Sequence, residues 1–509
     1  MFENQPKALY ALALANTGER FGYYTMIAVF SLFLRANFGL SGDTAGLIYG
    51  VFLALVYFLP LVGGIMADKF GYGKMVTIGI IVMFAGYLFL SIPLGGGVMG
   101  YAAMFGALLL VSLGTGLFKG NLQVMVGNLY DAPELSAKRD SGFSIFYMAI
   151  NIGALFAPTA AVRIKEWAEH SLGYSGNDAY HFSFAVACVS LIVSMMIYYA
   201  FRSTFKHVEA GAGKSKKTDT AGTEEELTPQ QTKERIVALC LVFAVVIFFW
   251  MSFHQNGLTL TFFADEFVSP KSEGVQTMAF DVINLVMIIF MVYSLMSFFQ
   301  SKTSKAKLIS TVVFLAAVGV LVYKYHNIGG PVDVSAPIFQ QFNPFYVVAL
   351  TPVSMAIFGA LAAKGKEPKA PRKIAYGMII AGCAYLLMVL ASRGLLTPNA
   401  QAAAKAAGET VPFASGNWLI GTYLILTFGE LLLSPMGISF VSKVAPPKYK
   451  GTMMGGWFVA TAIGNLLVSV GGFLWNDIPL TIVWSVFIVL CLLSAGFMFL
   501  MMKRLEKVA

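Results

Sequence analysis

Charge is what this sequence has least of. Charged side chains make up 12% of its 509 residues, about half the share found in soluble globular proteins, and a chain so poor in them is not a water-soluble enzyme. Cysteine is scarce as well. Cys188, Cys240, Cys383 and Cys491 all lie inside apolar runs without CxxC spacing, which excludes a disulfide framework and a zinc site and leaves them as packing residues. HExxH, GxSxG and a repeated selectivity loop are all missing, so neither a membrane enzyme with a metal or nucleophile nor an ion channel is indicated. Alternating ten-residue segments are missing too, which excludes a β-barrel. The GAGKS at 211–215 is not a phosphate-binding loop, because the leading glycine of such a loop would fall at Val208 and no buried strand precedes it. The N-terminal MFENQPK runs into a long span without a small-residue cleavage site, so the first span is expected to be retained.

What the chain has instead is apolar length. Hydrophobic residues supply 57% of it, in repeated runs near 20 residues, the length that crosses about 30 Å of hydrocarbon as a helix. Spans are expected at about 9–34, 45–67, 75–94, 101–128, 141–162, 181–201, 236–263, 281–300, 308–324, 344–363, 374–392, 417–441, 453–475 and 480–502. That makes an all-α polytopic membrane protein with fourteen transmembrane helices. The polar stretch at 202–235 reads as a flexible cytoplasmic linker. It separates an N-terminal six-helix bundle, 1–201, from a C-terminal one, 236–509, that carries an extra peripheral hairpin at about 281–324.

The net charge of +9 does not point to nucleic acid once the basic residues are located. With the N-terminus inside, 26 of the 35 lysines and arginines fall on cytoplasmic segments and seven on the opposite side. This imbalance orients the chain in the cell inner membrane with both termini cytoplasmic. The two that remain, Arg20 and Lys119, sit inside spans, where a charge costs about 2.5–3.5 kcal/mol and calls for a water-filled cavity or a partner. Glu19 lies beside Arg20, and Glu19 and Lys119 are each about 15 Å in from the cytoplasmic ends of their spans, so an ion pair between them is geometrically possible. Glu430 lies roughly 20 Å deep in its own span. His254 with Gln255, and Ser434, Pro435 and Trp457, interrupt other apolar runs. Such a histidine is either a hydrogen-bonded packing residue or, if it lines a cavity, a proton carrier. Tyr23, Tyr24, Tyr57 and Tyr147 taken singly read as packing or interface residues.

Several stretches together carry a resemblance: GERFGYY at 18–24, GGIMADKFG at 63–71, GTGLFKGN at 114–121, RDSGFSIFYMAINIG at 139–153, FHQNGLTLTFFAD at 253–265, FQQFNP at 339–344, GELLLSP at 429–435 and APPKYKGTMMGGWF at 445–458. Over nearly its whole length the chain resembles the proton-dependent oligopeptide transporters (POT/PTR2) of the major facilitator superfamily. The resemblance implies two six-helix halves around a central cavity that carries di- and tripeptides inward with protons, with no other cofactor, no metal and no catalysis. A functional monomer in the lipid bilayer is expected. The resemblance implies that Arg20 and Lys119 meet the peptide carboxylate and Glu430 the amine, that Asn151 and Asn343 bind peptide polar groups, and that Tyr23, Tyr24, Tyr57 and Trp457 line the pocket. A transporter of another small organic solute, or a proton-independent peptide facilitator, is the alternative.

Two departures from the family pattern bear on coupling. The first span of the family reads ExxER, whereas this chain has Asn16 ahead of Glu19 and Arg20, removing one titratable carboxylate. Asn16 shares a helix face with both and can hydrogen-bond either. Many members also carry an acid where His254 stands. Proton coupling is therefore expected to be weakened, or to rest on Glu19 and His254. The extra helix pair also departs: bacterial members commonly insert it between the sixth and seventh spans, whereas here it lies at about 281–324.

Overall fold

The computed structural model describes residues 5–136, 139–210, 227–446 and 449–508. Fourteen long helices dominate them: α1 Lys7–Phe38, α2 Gly42–Phe70, α3 Tyr72–Leu90, α4 Val98–Asn128, α5 Arg139–Leu172, α6 Tyr180–Ala200, α7 Pro229–Phe253, α8 Val282–Gln300, α9 Ser304–His326, α10 Phe342–Ala363, α11 Ala370–Ala391, α12 Gly416–Val444, α13 Lys450–Leu467 and α14 Leu480–Val508. Thirteen spans among the described residues are long and apolar enough to cross a bilayer. The remaining long helix is α1, whose apolar run is interrupted by Asn16, Thr17, Glu19 and Arg20.

Helices run past the apolar stretches wherever local pairing supports them. The span expected at 141–162 continues to Leu172, because Lys165 and Glu169 pair at i,i+4 across 2.6 Å and keep the turn in the interface helical. The stretch expected as a flexible linker over 202–235 carries regular structure at both of its ends. Residues 202–208 form two short 3-10 turns that bury Phe205 and Val208. Glu209 anchors them, accepting from Arg202 at 2.8 Å and from the Tyr198 hydroxyl at 3.0 Å. At the far end Thr228 and Gln231 form a capping box, and Pro229 opens α7. Residues 211–226, with the GAGKS stretch, lie outside the described residues, as do Lys138 and Lys448.

The described helices group into two compact units, the first up to His254 together with Phe440–Phe473, the second Gln255–Ser439 together with Leu474–Lys507. This division differs from one drawn at the linker, because α13 packs with both α2 and α7. In the first unit glycine lets backbones touch. A Cβ at Gly63 of α2 would lie 2.1 Å from the Gly116 carbonyl oxygen of α4, and one at Gly50 only 2.8 Å from that of Leu466 in α13. Helices in lipid associate through such close contact, since the solvent supplies no hydrophobic drive between them.

In the second unit Tyr385 and Trp484 stack between α11 and α14, and the indole donates to Ser392 Oγ at 2.9 Å. The α8–α9 hairpin is closed by Lys324 and Asp281 at 2.5 Å, and Tyr293 ties it to the Val348 carbonyl of α10 at 3.2 Å. Only 11% of the apolar window of α9 is buried in the protein, against 56% for α11, so the extra pair is peripheral, as its lack of interior charge leads one to expect. A two-stranded antiparallel ribbon pairs Lys271–Ser272 with Val332–Asp333.

Gly63 and Gly64 are adjacent on α2, yet a Cβ at Gly64 meets nothing within 4 Å. Gly63→Ala should overpack the α2–α4 seam by about 1–3 kcal/mol and lower the melting temperature in detergent by several degrees. Gly64→Ala should leave the melting temperature unchanged or raise it. Equal melting temperatures for the two variants would contradict the seam described here.

Candidate functional site

Within the first unit, α1 presents a turn on which small and polar residues replace apolar ones. Gly18 and Gly22 bring it close to α6, where Ser194 donates to the Ala15 carbonyl at 2.6 Å and Ser190 to that of Gly18. Thr17 donates to the Ala149 carbonyl of α5 at 3.1 Å. So held, Glu19 and Arg20 are 0% and 3% exposed. Arg20 donates from Nε and Nη2 to the two oxygens of Glu19, at 2.5 and 2.6 Å.

A two-pronged bond between adjacent helical residues is unusual, because i and i+1 point apart; the length of the arginine side chain lets its fork turn back. The Glu19–Lys119 ion pair that the depths allowed is therefore not formed. The guanidinium, on the same turn, takes both oxygens, and it lies 4.7 Å from the centre of the Tyr23 ring. Among the described residues Asn16, also buried, makes no hydrogen bond to Glu19 or Arg20. Tyr24 meets Tyr23 edge to face at 5.3 Å. Asn151 of α5 is buried, with its amide on its own helix at the Tyr147 carbonyl, 3.1 Å away.

Lys119 of α4 places its ammonium 4.0 Å from the centre of the Tyr57 ring of α2, a cation–π contact that compensates partial removal from water. The centre of Tyr57 is in turn 6.1 Å from that of His254. His254 ends α7: the helix breaks into a 3-10 turn, His254–Gly257, before resuming at Thr259–Phe267. Its ring stacks on Trp250 at 5.1 Å, and Nδ1 lies 2.6 Å from Oδ1 of Asn465 in α13. Trp457, two turns earlier on α13, is buried against Phe243 of α7, with ring centres 6.5 Å apart.

In the second unit Glu430 of α12 is 8% exposed. Asn343, at the start of α10, donates to its Oε2 at 2.8 Å and to Thr427 Oγ1 at 3.0 Å. Beyond the α7 break, the Asn256 carbonyl freed by the 3-10 turn accepts from Thr261 and Tyr423 hydroxyls at 2.8 and 3.1 Å, as irregular backbone within a membrane span requires. A cavity of about 390 Å³ in the same unit, lined by Lys271, Ser272, Gln276, Phe339 and Phe413 among others, contains none of the residues expected at the site.

Asn465 and Thr427 escaped the sequence reading. Asn465 interrupts an apolar run as His254 does, and the same criterion would have found it. Thr427 gives no such signal, since a lone threonine in a span ordinarily bonds its own helix.

The model of the POT family, PTR2, matches residues 73–222 and 324–483. The chain belongs to the POT family. It is therefore a multi-pass membrane transporter, not an enzyme. Dipeptide and tripeptide permease B of Xenorhabdus bovienii is 27% identical across 92% of this chain and 86% of its own length. The di-/tripeptide transporter of Lactococcus lactis subsp. lactis is 28% identical across 92% and 89%. Among solved structures, a peptide transporter POT in complex with sulfate aligns with 100% of this chain and 96% of its own at a TM-score of 0.73 and 22% identity. The fold thus matches that of solved POT transporters.

Removing one partner of a buried ion pair strands the other at a cost of about 3–5 kcal/mol, while replacing both with apolar groups is often near neutral. Glu19→Met in this POT-family chain should therefore depress the melting temperature more than the double variant Glu19→Met with Arg20→Met does. A double variant less stable than the single one would show that the two side chains do not depend on each other.

Proposed function

We propose that the chain imports di- and tripeptides by alternating access, driven by protons. The observation that carries this reading is the charge of both signs held deep in the spans, Arg20 and Lys119 on one unit and Glu430 on the other. A free peptide is a zwitterion and needs a pole of each sign. Relatives matching nine-tenths of the chain and named as di- and tripeptide transporters support the substrate class. In this reading Arg20 and Lys119 take the carboxylate and Glu430 the amine. Asn151 and Asn343 bond the peptide's polar groups, and Tyr23, Tyr24, Tyr57 and Trp457 wall the path. The lysine and arginine distribution supports cytoplasmic termini. In this reading the monomer is the transporting unit.

Coupling follows from what already occupies the cations. Glu19 engages Nε and Nη2 of Arg20; a proton on Glu19 weakens that fork and releases the guanidinium for a substrate carboxylate. Lys119 and His254 flank Tyr57, no more than about 10 Å apart from ammonium to ring centre by the two separations from Tyr57. At an effective dielectric of 20, a proton on His254 then costs at least about 1.6 kcal/mol against Lys119. A peptide carboxylate that neutralises Lys119 removes that cost, so substrate and proton favour each other, and linkage makes the effect reciprocal. Asn16 leaves this site one carboxylate fewer than the family pattern, which supports weak coupling through Glu19 and His254.

In proteoliposomes an inward proton gradient should stimulate uptake of a labelled dipeptide, and Arg20→Ala or Glu430→Gln should each cut uptake at least tenfold. Wild-type uptake by either variant would overturn the assignment of the poles, and a gradient-insensitive parent would leave a facilitator. Asn16→Glu restores the missing carboxylate and should steepen the dependence of uptake on the gradient. An unchanged dependence would speak against the coupling argument.

A further inference from the structure

We propose that Asn465 is a positioning residue for the proton step: it keeps the hydrogen of neutral His254 on Nδ1 and so makes Nε2 the atom that takes up the proton. The proposal rests on the reading of His254 as a coupling group and adds a residue and an atom to it.

The geometry is local to the first unit. His254 Nδ1 lies 2.6 Å from Asn465 Oδ1, and an amide oxygen can only accept, so Nδ1 donates. The ring has little freedom to turn away. It stacks on Trp250 with planes 19° apart, meets Phe253 edge-on at 5.5 Å, and has Tyr57 at 6.1 Å. The residue before Asn465 fixes the approach: a Cβ at Gly464 would lie 2.5 Å from the Ile247 carbonyl oxygen, so α13 meets α7 backbone to backbone two turns before the break.

The amide also occupies its position at a cost. Asn465 is fully buried, and its Nδ2 has no hydrogen-bond partner among the described residues. A buried, unpaired donor ordinarily costs about 1–3 kcal/mol, which an apolar residue at 465 would avoid. The bond to His254 is what the amide provides in return. Because an amide does not titrate, Oδ1 accepts from Nδ1–H in imidazole and imidazolium alike, and the bond survives the protonation that it directs. The titratable groups facing the ring are Tyr57 of α2 and, across it, Lys119 of α4; α13 contributes Asn465, and α7 itself Trp250 and Phe253.

Dipeptide uptake into proteoliposomes, measured against external pH at a fixed gradient, tests this for the parent and for His254→Gln, Asn465→Asp and Asn465→Leu. Gradient-independent counterflow serves as the check that each variant is folded. Asn465→Asp places a carboxylate on Nδ1–H and should move the pH of half-maximal uptake upward by about one unit or more. Asn465→Leu should move it downward, with counterflow within twofold of the parent. In ring-¹⁵N-labelled protein at high pH, the histidine signal lost in His254→Gln should be that of the Nδ1–H tautomer.

If His254→Gln abolishes gradient dependence while both Asn465 variants keep the parent's pH profile, Asn465 has no positioning role and the proposal fails alone. An Nε2–H tautomer also overturns it. If Asn465→Leu loses counterflow, the Asn465→Asp profile and the tautomer decide. If His254→Gln leaves gradient dependence intact, or the parent has none, the coupling role of His254 fails and the proposal falls with it.

Discussion

A guanidinium enclosed in a membrane span cannot lose its proton, so it must be compensated wherever the fold puts it. Here the compensation comes from the neighbouring residue, through two charge-assisted hydrogen bonds to Glu19. Much of the first unit is arranged to hold that one turn of α1: glycines on its α6 face, serines of α6 on its carbonyls, a threonine tied to α5. The pairing also bears on chemistry. A cation fully satisfied by a fixed partner is a structural element, whereas one whose partner can be neutralised by a proton is a switch; the coupling proposed above treats Glu19 as a partner of the second kind.

The charge of Lys119 is managed differently. Its ammonium rests on an aromatic face, a contact that can be exchanged for a carboxylate without stranding a counter-charge. Glu430 is held by an asparagine that keeps a second bond to Thr427, so its support is neutral. Arg20, Lys119 and Glu430 thus have three kinds of partner: ionic, aromatic and amide. Only the first must be broken before the group can serve a ligand.

Much of this was legible in the sequence because lipid imposes a simple rule: apolar length makes spans, and a charge inside one needs a reason. That rule found Arg20, Lys119, Glu19, Glu430 and His254, and the hairpin at 281–324. It failed where pairing depends on rotamers rather than depth. Equal depth made Glu19 and Lys119 plausible partners, yet reach decided for Arg20. It also failed at 202–210, where polar composition reads as linker but Phe205, Val208 and Glu209 dock. Helix ends ran long because interface turns are sustained by pairs such as Lys165–Glu169, to which hydropathy is blind. Asn465 was within reach of the rule, but a single amide draws less attention than a charge.

The seam between α2 and α13 has a different bearing. At Gly50 and Leu466, and again where Gly472 meets the Gly42 carbonyl, main chain lies on main chain with no side chain between to flex or re-rotate. A side-chain interface can loosen by degrees; one made of bare backbone has no intermediate packing to occupy. These two stretches therefore either travel together as one body or come apart in a single step, which confines gradual adjustment to other parts of the molecule.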